Sequence, residues 1–275
     1  MALLLCCSAG LASAQTLGGA AELRARHDAL QPQLKENVFQ KPLHLVSSET
    51  KDGVSGDVFA VVDAPFDKAA PALAQAGGWC EILLLQFNVK QCRSNGAALD
   101  VRIGRTPDQP VEQAFKVDFN YQVATRAHDY LQVRLNADKG PVSTRDYRII
   151  LEAAPLPDGR SFVHLFYAYR FGVTGKIAMQ AYLGSSGADK VGFTPAGGGQ
   201  LVGGMRGVIE RNTMRYYIAI ESFLGALDTQ PPARFEKAAR AFFAGTERYK
   251  RQLHEMDEAK YLALKRQDYQ LQAKF

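Results

Sequence analysis

Histidine and cysteine, the residues that most often bind transition metals, are scarce in this chain of 275 residues. None of its five histidines and four cysteines belongs to a His-x-x-x-His, Cys-x-x-Cys or Glu-flanked histidine pair. Zinc sites need ligands at such short spacings. The sequence therefore predicts no metal site, and it predicts no other cofactor.

Motifs of nucleophilic catalysis and of phosphate binding are also missing. No Gly-x-Ser-x-Gly segment is present, although that motif marks the nucleophile of many hydrolases. The Gly-rich residues 193–204 have neither the lysine of a P-loop nor the glycine spacing of a dinucleotide site. The sequence thus identifies no catalytic residue and favours a protein that is not an enzyme.

Long apolar runs and charge of one sign are lacking as well. After the N-terminus, no apolar run reaches the roughly 18 residues expected of a membrane-spanning helix. The formal net charge is +5, but acidic and basic residues alternate along the chain. Such a dispersed charge argues against nucleic-acid binding.

The first 14 residues, MALLLCCSAGLASA, have the composition of an export signal. They form a short apolar block ending in Ala-Ser-Ala, a small-x-small pattern that signal peptidase accepts. We expect a signal peptide cleaved between Ala14 and Gln15, and a periplasmic mature protein. No lysine or arginine precedes Arg24, so the true translation start is left open. The alternative is that residues 3–11 form a buried strand or helix end.

The remaining cysteines suit an oxidising compartment. Cleavage would leave only Cys80 and Cys92, and paired thiols oxidise outside the cytoplasm. The loop between them can be closed by a disulfide. We predict a Cys80–Cys92 disulfide, and the alternative is two separately buried thiols.

The first third of the sequence predicts short helices around one hairpin. Residues 20–34 are rich in Ala, Leu and Arg and predict a helix that a proline disturbs. The Asp-Gly dipeptide at 52–53 predicts a hairpin turn. A helix is expected to begin at Pro65 and to end at the Gly-Gly pair of residues 77–78. A second short helix is expected over residues 79–86.

Farther along, the period of the apolar residues changes to two. Six alternating runs between residues 88 and 172 predict an antiparallel meander. Residues 203–227 instead place apolar residues at three- and four-residue steps, which is typical of a long amphipathic helix. The Pro-Pro pair at 231–232 ends that helix, and a second amphipathic helix follows.

This order of elements resembles the START-like helix-grip superfamily, also called SRPBCC. The segment VFAVVDAPFDKAAPAL is similar to that family's first strand and helix, and GGWCEILL to its tryptophan-bearing helical segment. GGMRGVIERNTMRYYIAIESFL stands where the family's long helix closes the sheet. The similarity covers roughly residues 43–228. It implies an α+β fold, with a curved antiparallel sheet wrapped around a long C-terminal helix. The extra C-terminal amphipathic helix, which the sequence predicts, lies outside the family's pattern.

In this family the space between sheet and helix is a hydrophobic cavity. The resemblance therefore implies an exported protein that binds a lipid or other hydrophobic small molecule without chemical change. Transport of the ligand, with transient membrane contact, is a further expectation. The candidate cavity residues are Trp79, Phe119, Phe162, His164, Phe166, Met205, Asn212, Tyr216 and Phe223.

One strand leaves the choice of cavity residues open. His164 alternates with Phe162 and Phe166, whereas Tyr167 and Tyr169 face the other way. Period-two alternation does not say which set faces the helix. His164 is also explained as a hydrogen-bonded core residue.

Two rival functions remain. An enzyme of the same fold, such as a cyclase or hydrolase, would need polar residues such as His164, Asp146 and Arg148 to converge in one pocket. An envelope protein would instead dock a partner through its C-terminal helix, if residues 233–262 expose an apolar stripe.

The expected organisation is a signal peptide at 1–14, an N-terminal helical segment at 15–42, a START-like domain at 43–228 and a C-terminal helical extension at 229–275. Residues 193–204 are either a flexible connection or a mobile gate at the cavity entrance. The sequence does not determine the oligomeric state.

Overall fold

The structure is a computed structural model that describes residues 18–172, 175, 177 and 190–272. The predicted signal peptide, residues 1–14, and its cleavage site before Gln15 lie outside these ranges. None of the helices within them combines the length and the apolar character that crossing a bilayer requires.

Eight strands form one curved antiparallel sheet. They are β1 Leu43–Glu49, β2 Gly53–Val62, β3 Val89–Asn95, β4 Ala98–Ile103, β5 Phe115–Arg126, β6 Leu131–Lys139, β7 Thr144–Pro155 and β8 Ser161–Phe171. Their spatial order is β1-β2-β8-β7-β6-β5-β4-β3. The six alternating runs are therefore present as the meander β3 to β8. A short hairpin of β9 Pro195–Gly197 and β10 Gln200–Leu201 stands apart from this sheet.

The N-terminal hairpin closes onto the end of the meander. The Thr50 amide donates a hydrogen bond to the Gly53 carbonyl across the predicted turn, with an N–O distance of 2.8 Å. Strand β2 then pairs along its whole length with β8. The second strand of the N-terminal hairpin and the last strand of the meander are thus brought side by side, next to the edge strand β1.

The helices lie before, between and after the strands. They are α1 Ala20–Ala29, α2 Gln31–Lys35, α3 Phe66–Leu73, α4 Ala76–Leu84, α5 Gly204–Leu224, α6 Ala233–Glu247, α7 Lys250–Leu253 and α8 Glu258–Gln272. Pro65 precedes α3, as predicted. Pro32 lies in the first turn of α2, where backbone N–H groups make no hydrogen bond within the helix. The missing N–H of proline therefore costs nothing, and Pro32 helps to begin a helix instead of disturbing one.

One predicted helix end is wrong. Gly77 and Gly78 lie inside α4, and the extended residue Gln75 separates α3 from α4. A Cβ atom at Gly78 would stand 2.7 Å from the carbonyl oxygen of Ala72 and 3.2 Å from the ring of Phe223. Gly78 is needed because α4 lies close to α3 and α5 at this point, where a side chain would not fit. It does not mark the end of a helix.

The 21-residue helix α5 packs across the inner face of the sheet, on β1, β2 and β8. At the closest approach, Gly56 of β2 faces Thr213 and Ile209 of the helix, and a Cβ atom at Gly56 would overlap the Thr213 hydroxyl. The predicted α+β class and its helix-grip arrangement are confirmed by this packing.

Helices α6 and α8 complete the core, with α6 packed on α5 and α8 packed on α6, α4 and β3. The buried face of α6 carries Phe235, Ala238, Ala239, Phe242 and Phe243. These residues pack within the main core, and α6 contacts both α5 and α8. The apolar stripe of this helix is thus buried within the chain, whereas the docking hypothesis needs it exposed.

The opposite, outer face of the sheet is partly covered by α1 and α2. Leu23, Leu30 and Leu34 form a second apolar cluster with Phe59 of β2 and Phe162 of β8. Because side chains alternate along a strand, β2 and β8 bury one set of side chains under α5 and the other set under the N-terminal helices.

The predicted disulfide is present. Cys80 of α4 and Cys92 of β3 are bonded, with Cα atoms 5.1 Å apart. Next to it, Trp79 is fully buried and its indole nitrogen donates a hydrogen bond to the Leu73 carbonyl at 2.8 Å. The bond attaches α4 to the strand at the sheet edge.

Removing this disulfide should destabilise the fold without unfolding it. Replacing both Cys80 and Cys92 with alanine is expected to lower the free energy of unfolding by about 3 kcal/mol. The reason is that the unfolded chain gains conformational entropy when the disulfide no longer closes a loop in it. Urea denaturation followed by circular dichroism measures the change. Thiol titration of unfolded, unreduced protein beginning at residue 15 should find no free thiol, and two free thiols would show that the bond does not form.

Candidate functional site

A cavity of about 580 Å³ lies between α5 and the sheet. Strands β4, β5, β7 and β8 supply one wall and α5 supplies the other. Residues 86–88, which connect α4 to β3, and Val89 at the start of β3 line one side. The volume falls within the range of sites that hold small organic molecules.

Four tyrosines, Tyr147, Tyr167, Tyr169 and Tyr216, dominate one side of this cavity, and we call them the tyrosine cluster. The rings of Tyr147 and Tyr169 stack with centroids 5.3 Å apart. Tyr216 of α5 approaches Tyr167 of β8 at 4.8 Å. The cluster therefore joins the helix to the strands and presents flat aromatic surface to the cavity.

Burial keeps the hydroxyls of the tyrosine cluster neutral. It raises the pKa of Tyr147 to about 12 and the pKa values of Tyr167, Tyr169 and Tyr216 still further. The Tyr147 hydroxyl lies 2.8 Å from that of Thr144. At physiological pH these groups can donate hydrogen bonds to a ligand but cannot act as bases.

The helix wall is a stripe of residues at three- and four-residue steps. It consists of Val208, Arg211, Asn212, Arg215 and Tyr216, which lie on one face of α5 because the helix turns every 3.6 residues. The side-chain amide of Asn212 makes no hydrogen bond within the part of the chain that the structure describes. A ligand could therefore meet it.

Three arginines and one acid also line the cavity. Arg105 lies over the ring of Phe115 at 5.2 Å. Arg211 donates to the carbonyl of Lys190 at 2.9 Å, and Arg215 forms an ion pair with Glu255. Among the described lining residues the charges are therefore three positive and one negative.

Three of the nine predicted cavity residues lie on the cavity wall. Phe119 extends from β5, and Asn212 and Tyr216 from α5. The structure thus brings these three together, and their contact with a ligand stays a prediction.

Phe162, His164 and Phe166 are corrected, since they lie on the outer face of the sheet. Phe162 packs in the cluster under α1, and His164 stacks on Phe59 with ring centroids 4.3 Å apart. The guanidinium of Arg148 covers the ring of Phe166 at 5.4 Å. The alternate residues of β8 face the cavity instead.

His164 is held as a hydrogen-bonded residue within this outer face. Its Nδ1 lies 2.8 Å from Glu152 Oε2, and its Nε2 lies 2.8 Å from Asp57 Oδ1. Burial alone would lower the pKa of His164, but the two carboxylates outweigh it and hold that pKa above its ordinary value. The core interpretation of His164 therefore fits the structure.

Trp79, Met205 and Phe223 are buried in the main core and do not line the cavity. Trp79 lies on α4, Met205 in the first turn of α5, and Phe223 near the end of α5. The apolar face of α5 is longer and wider than the cavity, so much of it packs directly on the sheet and on α4. Helical periodicity does not distinguish residues that pack in the core from residues that line the cavity.

Exposed lining residues mark the opening of the cavity. Arg105, after β4, and Val142, between β6 and β7, are both exposed and line the same space. None of residues 193–204 is part of the lining. Phe193 instead packs on Phe39 and Tyr249, and the Phe193 amide donates a hydrogen bond to the buried Glu210. The entrance predicted at residues 193–204 therefore lies elsewhere.

The lining offers little acid–base chemistry. Among the residues described there, no histidine, cysteine or serine is found, and the carboxylate is that of Glu255, which pairs with Arg215 and Lys190. His164 and Arg148 lie on the outer face, and Asp146 is exposed beside Arg145. The polar residues named for an enzyme therefore do not converge in the cavity.

Several lining residues were not predicted from the sequence. Arg211 and Arg215, one turn apart on α5, line the cavity beside Asn212 and Tyr216. The signal lay in the stripe that these four residues share, because a polar group in line with an apolar one on a buried helix face has to meet a cavity or a partner.

Comparison with known proteins gives no family for this chain. No family model matches it, and no curated protein matches it. Solved structures that do match include a conserved protein from Geobacillus kaustophilus, with 10% identity over 63% of this chain and 95% of that chain, at a TM-score of 0.36.

Two other matches have similar values. A conserved protein of unknown function from Enterococcus faecalis is 7% identical over 79% of this chain and 96% of that chain, with a TM-score of 0.35. Norcoclaurine synthase from Thalictrum flavum is 13% identical over 53% of this chain and 81% of that chain, with a TM-score of 0.33. At such scores the neighbours carry no functional argument, and the fold is defined by the strands and helices described above.

Proposed function

We propose that this chain is a START-like protein that binds a lipid or other hydrophobic small molecule in the cavity under α5 and releases it unchanged. The observation that carries this proposal is the 580 Å³ cavity itself, with the tyrosine cluster and Phe119 in its wall. Apolar surface removed from water contributes about 25 cal/mol per Å². A hydrophobic ligand is therefore stabilised in this cavity.

The chemistry of the lining supports a carrier over an enzyme. The four tyrosine hydroxyls are neutral, and the carboxylate of Glu255 is paired with cations. General acid–base catalysis needs a group that changes its protonation near physiological pH. Binding without reaction requires only the shape and the aromatic surface that are present.

We infer that the protein acts outside the cytoplasm, in the periplasm, and that it transfers its ligand during transient contact with a membrane. Support comes from the apolar residues 1–14 and from the Cys80–Cys92 bond, because structural disulfides persist in oxidising compartments. The exposed opening near Arg105 and Val142 supplies a route for the ligand.

A substitution that fills part of the cavity should weaken binding while the fold is kept. Val117 of β5 is 1% exposed and lines the cavity. Val117→Phe is expected to raise the Kd for the neutral probe N-phenyl-1-naphthylamine by about tenfold, equivalent to about 1.4 kcal/mol. Fluorescence titration of the full chain measures the Kd, and thermal unfolding checks that the variant remains folded.

The matched control is Val46→Phe on β1, where the valine is 44% exposed and the Kd should not change. Lipid extracts of protein purified from its native host, examined by mass spectrometry, should contain the same small molecule in repeated preparations. A probe that does not bind, or that binds Val117→Phe as tightly as the parent chain, together with empty extracts, would contradict the proposal.

A further inference from the structure

Two arginines of the cavity wall, Arg215 and Arg105, pack on aromatic rings outside the tyrosine cluster. Arg215 is close to residues 86–89, since its carbonyl accepts a hydrogen bond from Gln86 and its guanidinium lies 5.7 Å from the Phe87 ring. Arg105 lies over Phe115, near the β4–β5 side of the sheet. Arg215 and Arg105 therefore form a cationic part of the wall beside Phe87 and Phe115, whereas three of the four clustered tyrosines belong to β7 and β8.

Arg215 has an unused hydrogen-bond donor. Its side chain is 13% exposed, its Nη2 pairs with Glu255, and its Nε is buried without a partner within the described residues. A buried donor left unpaired costs about 1–3 kcal/mol. The Nε is enclosed, so a ligand would meet this guanidinium through the exposed part of the side chain, which lines the cavity.

Among the described residues of this wall, the cations exceed the acids. Glu255 is the acid among the described lining residues, and it is shared between Arg215 and Lys190. Arg105 is exposed at the opening, and no described carboxylate lies within ion-pair distance of it. Guanidinium groups bind carboxylate, sulfonate and phosphate oxygens through paired N–H donors.

On the basis of the proposed binding function, we infer that the ligand is an amphipathic organic anion. Its apolar body packs on the tyrosine cluster, and its anionic group accepts hydrogen bonds from Arg215 and is attracted by Arg105. The ligand thereby places its negative charge beside the guanidinium groups of Arg215 and Arg105.

Two probes with one ring system separate charge from hydrophobicity. We use 8-anilino-1-naphthalenesulfonate and the neutral N-phenyl-1-naphthylamine, which lacks the sulfonate. Arg215→Met is expected to raise the Kd of the sulfonate probe about tenfold and to leave that of the neutral probe within about twofold. Arg105→Met, at an exposed site that does not support the fold, should raise the sulfonate Kd about two- to fivefold.

Two variants serve as controls for these losses. Glu255→Gln removes the competing carboxylate and is expected to tighten binding of the sulfonate probe, a gain that damage to the fold does not produce. Arg148→Met removes an exposed arginine from the outer face and should change neither Kd. Raising the salt concentration should weaken binding of the sulfonate probe only.

The outcomes distinguish this inference from the proposed function. If Arg215→Met and Arg105→Met weaken both probes equally or neither probe, the anionic assignment is overturned while apolar binding stands. If the parent chain binds neither probe, both proposals fail. Competition with the sulfonate probe tests the apolar part of the ligand. Laurate represents a ligand with an acyl chain, and 2-naphthoate represents an aromatic acid. Displacement of the sulfonate probe by either supports the assignment, and failure of both contradicts it.

Discussion

Replacing Asp268 with alanine is expected to lower the free energy of unfolding by about 3–5 kcal/mol, the effect of breaking a buried ion pair from one side. Asp268 is 1% exposed and lies between two lysines. Its carboxylate oxygens are 2.8 Å from Lys90 Nζ and 3.0 Å from Lys265 Nζ. Without it, two buried ammonium groups would face each other. Urea denaturation followed by circular dichroism measures the loss.

These three residues attach the last helix to the edge of the sheet. Lys265 of α8 also donates to the carbonyl of Val89, at 2.7 Å, and Lys90 of β3 donates to that of Pro107, at 2.8 Å. Both carbonyl-bearing residues line the cavity. The cluster therefore supports one side of the cavity wall, and its loss is expected to affect binding as well as stability.

Lys265→Met is the matched control for this prediction. Burial, the largest influence, lowers the pKa of Lys265 to about 8 even though Asp268 opposes the shift. The methionine variant keeps the Lys90–Asp268 pair, so it should lose less than about 1 kcal/mol. The unfolded chain holds the Lys265 proton up to about pH 10.5, so the parent chain should gain stability over this variant as pH rises from about 8 to 10.5. An equal loss in both variants would refute the assignment of Asp268 as the central charge.

His164→Phe is expected to lower the free energy of unfolding by about 3 kcal/mol. The ring still fits against Phe59, but Glu152, which is fully buried, loses the imidazole that bonds its Oε2. The other oxygen keeps its hydrogen bonds from Tyr130 and from Gln132, the latter at 3.1 Å. Chemical denaturation at several pH values measures the effect.

The pH dependence gives this second prediction a clear sign. Because the folded-state pKa of His164 lies above its ordinary value, its charge stabilises the fold fully below about pH 6.5 and loses that effect as pH rises through the raised pKa. The difference between the parent chain and His164→Phe should therefore shrink with rising pH. His128→Phe, at a side chain that is 93% exposed, should change nothing. A pH-independent difference would count against the charged imidazole.

Structural features that depend on residues close together in the chain were predicted well from the sequence. Alternation identified the six strands of the meander, the Asp52-Gly53 turn identified the first hairpin, and the spacing of Cys80 and Cys92 identified the disulfide. Each of these depends on residues close together in the chain, where backbone preference and loop closure are decisive.

Other signals had two physical meanings. The Gly77-Gly78 pair predicted a helix end because glycine accepts positive φ, but Gly78 is present because α4 lies close to Ala72 and Phe223. The apolar face of the long helix predicted cavity residues, but Met205 and Phe223 pack in the core, whereas Asn212 and Tyr216 line the cavity. The tertiary contacts of each residue decide between the two meanings, and the residues that make those contacts are distant in the sequence.

The sequence by itself determined that β8 carries two opposed sets of side chains, and only the tertiary structure decided which set faces the cavity. Alternation separates Phe162, His164 and Phe166 from Tyr167 and Tyr169 but treats the two faces of a strand alike. The packing of α1 on one face and of α5 on the other breaks that symmetry. Tyrosines therefore face the ligand site, and the histidine stabilises the outer face, because the long-range contacts of two helices assign each side of the sheet.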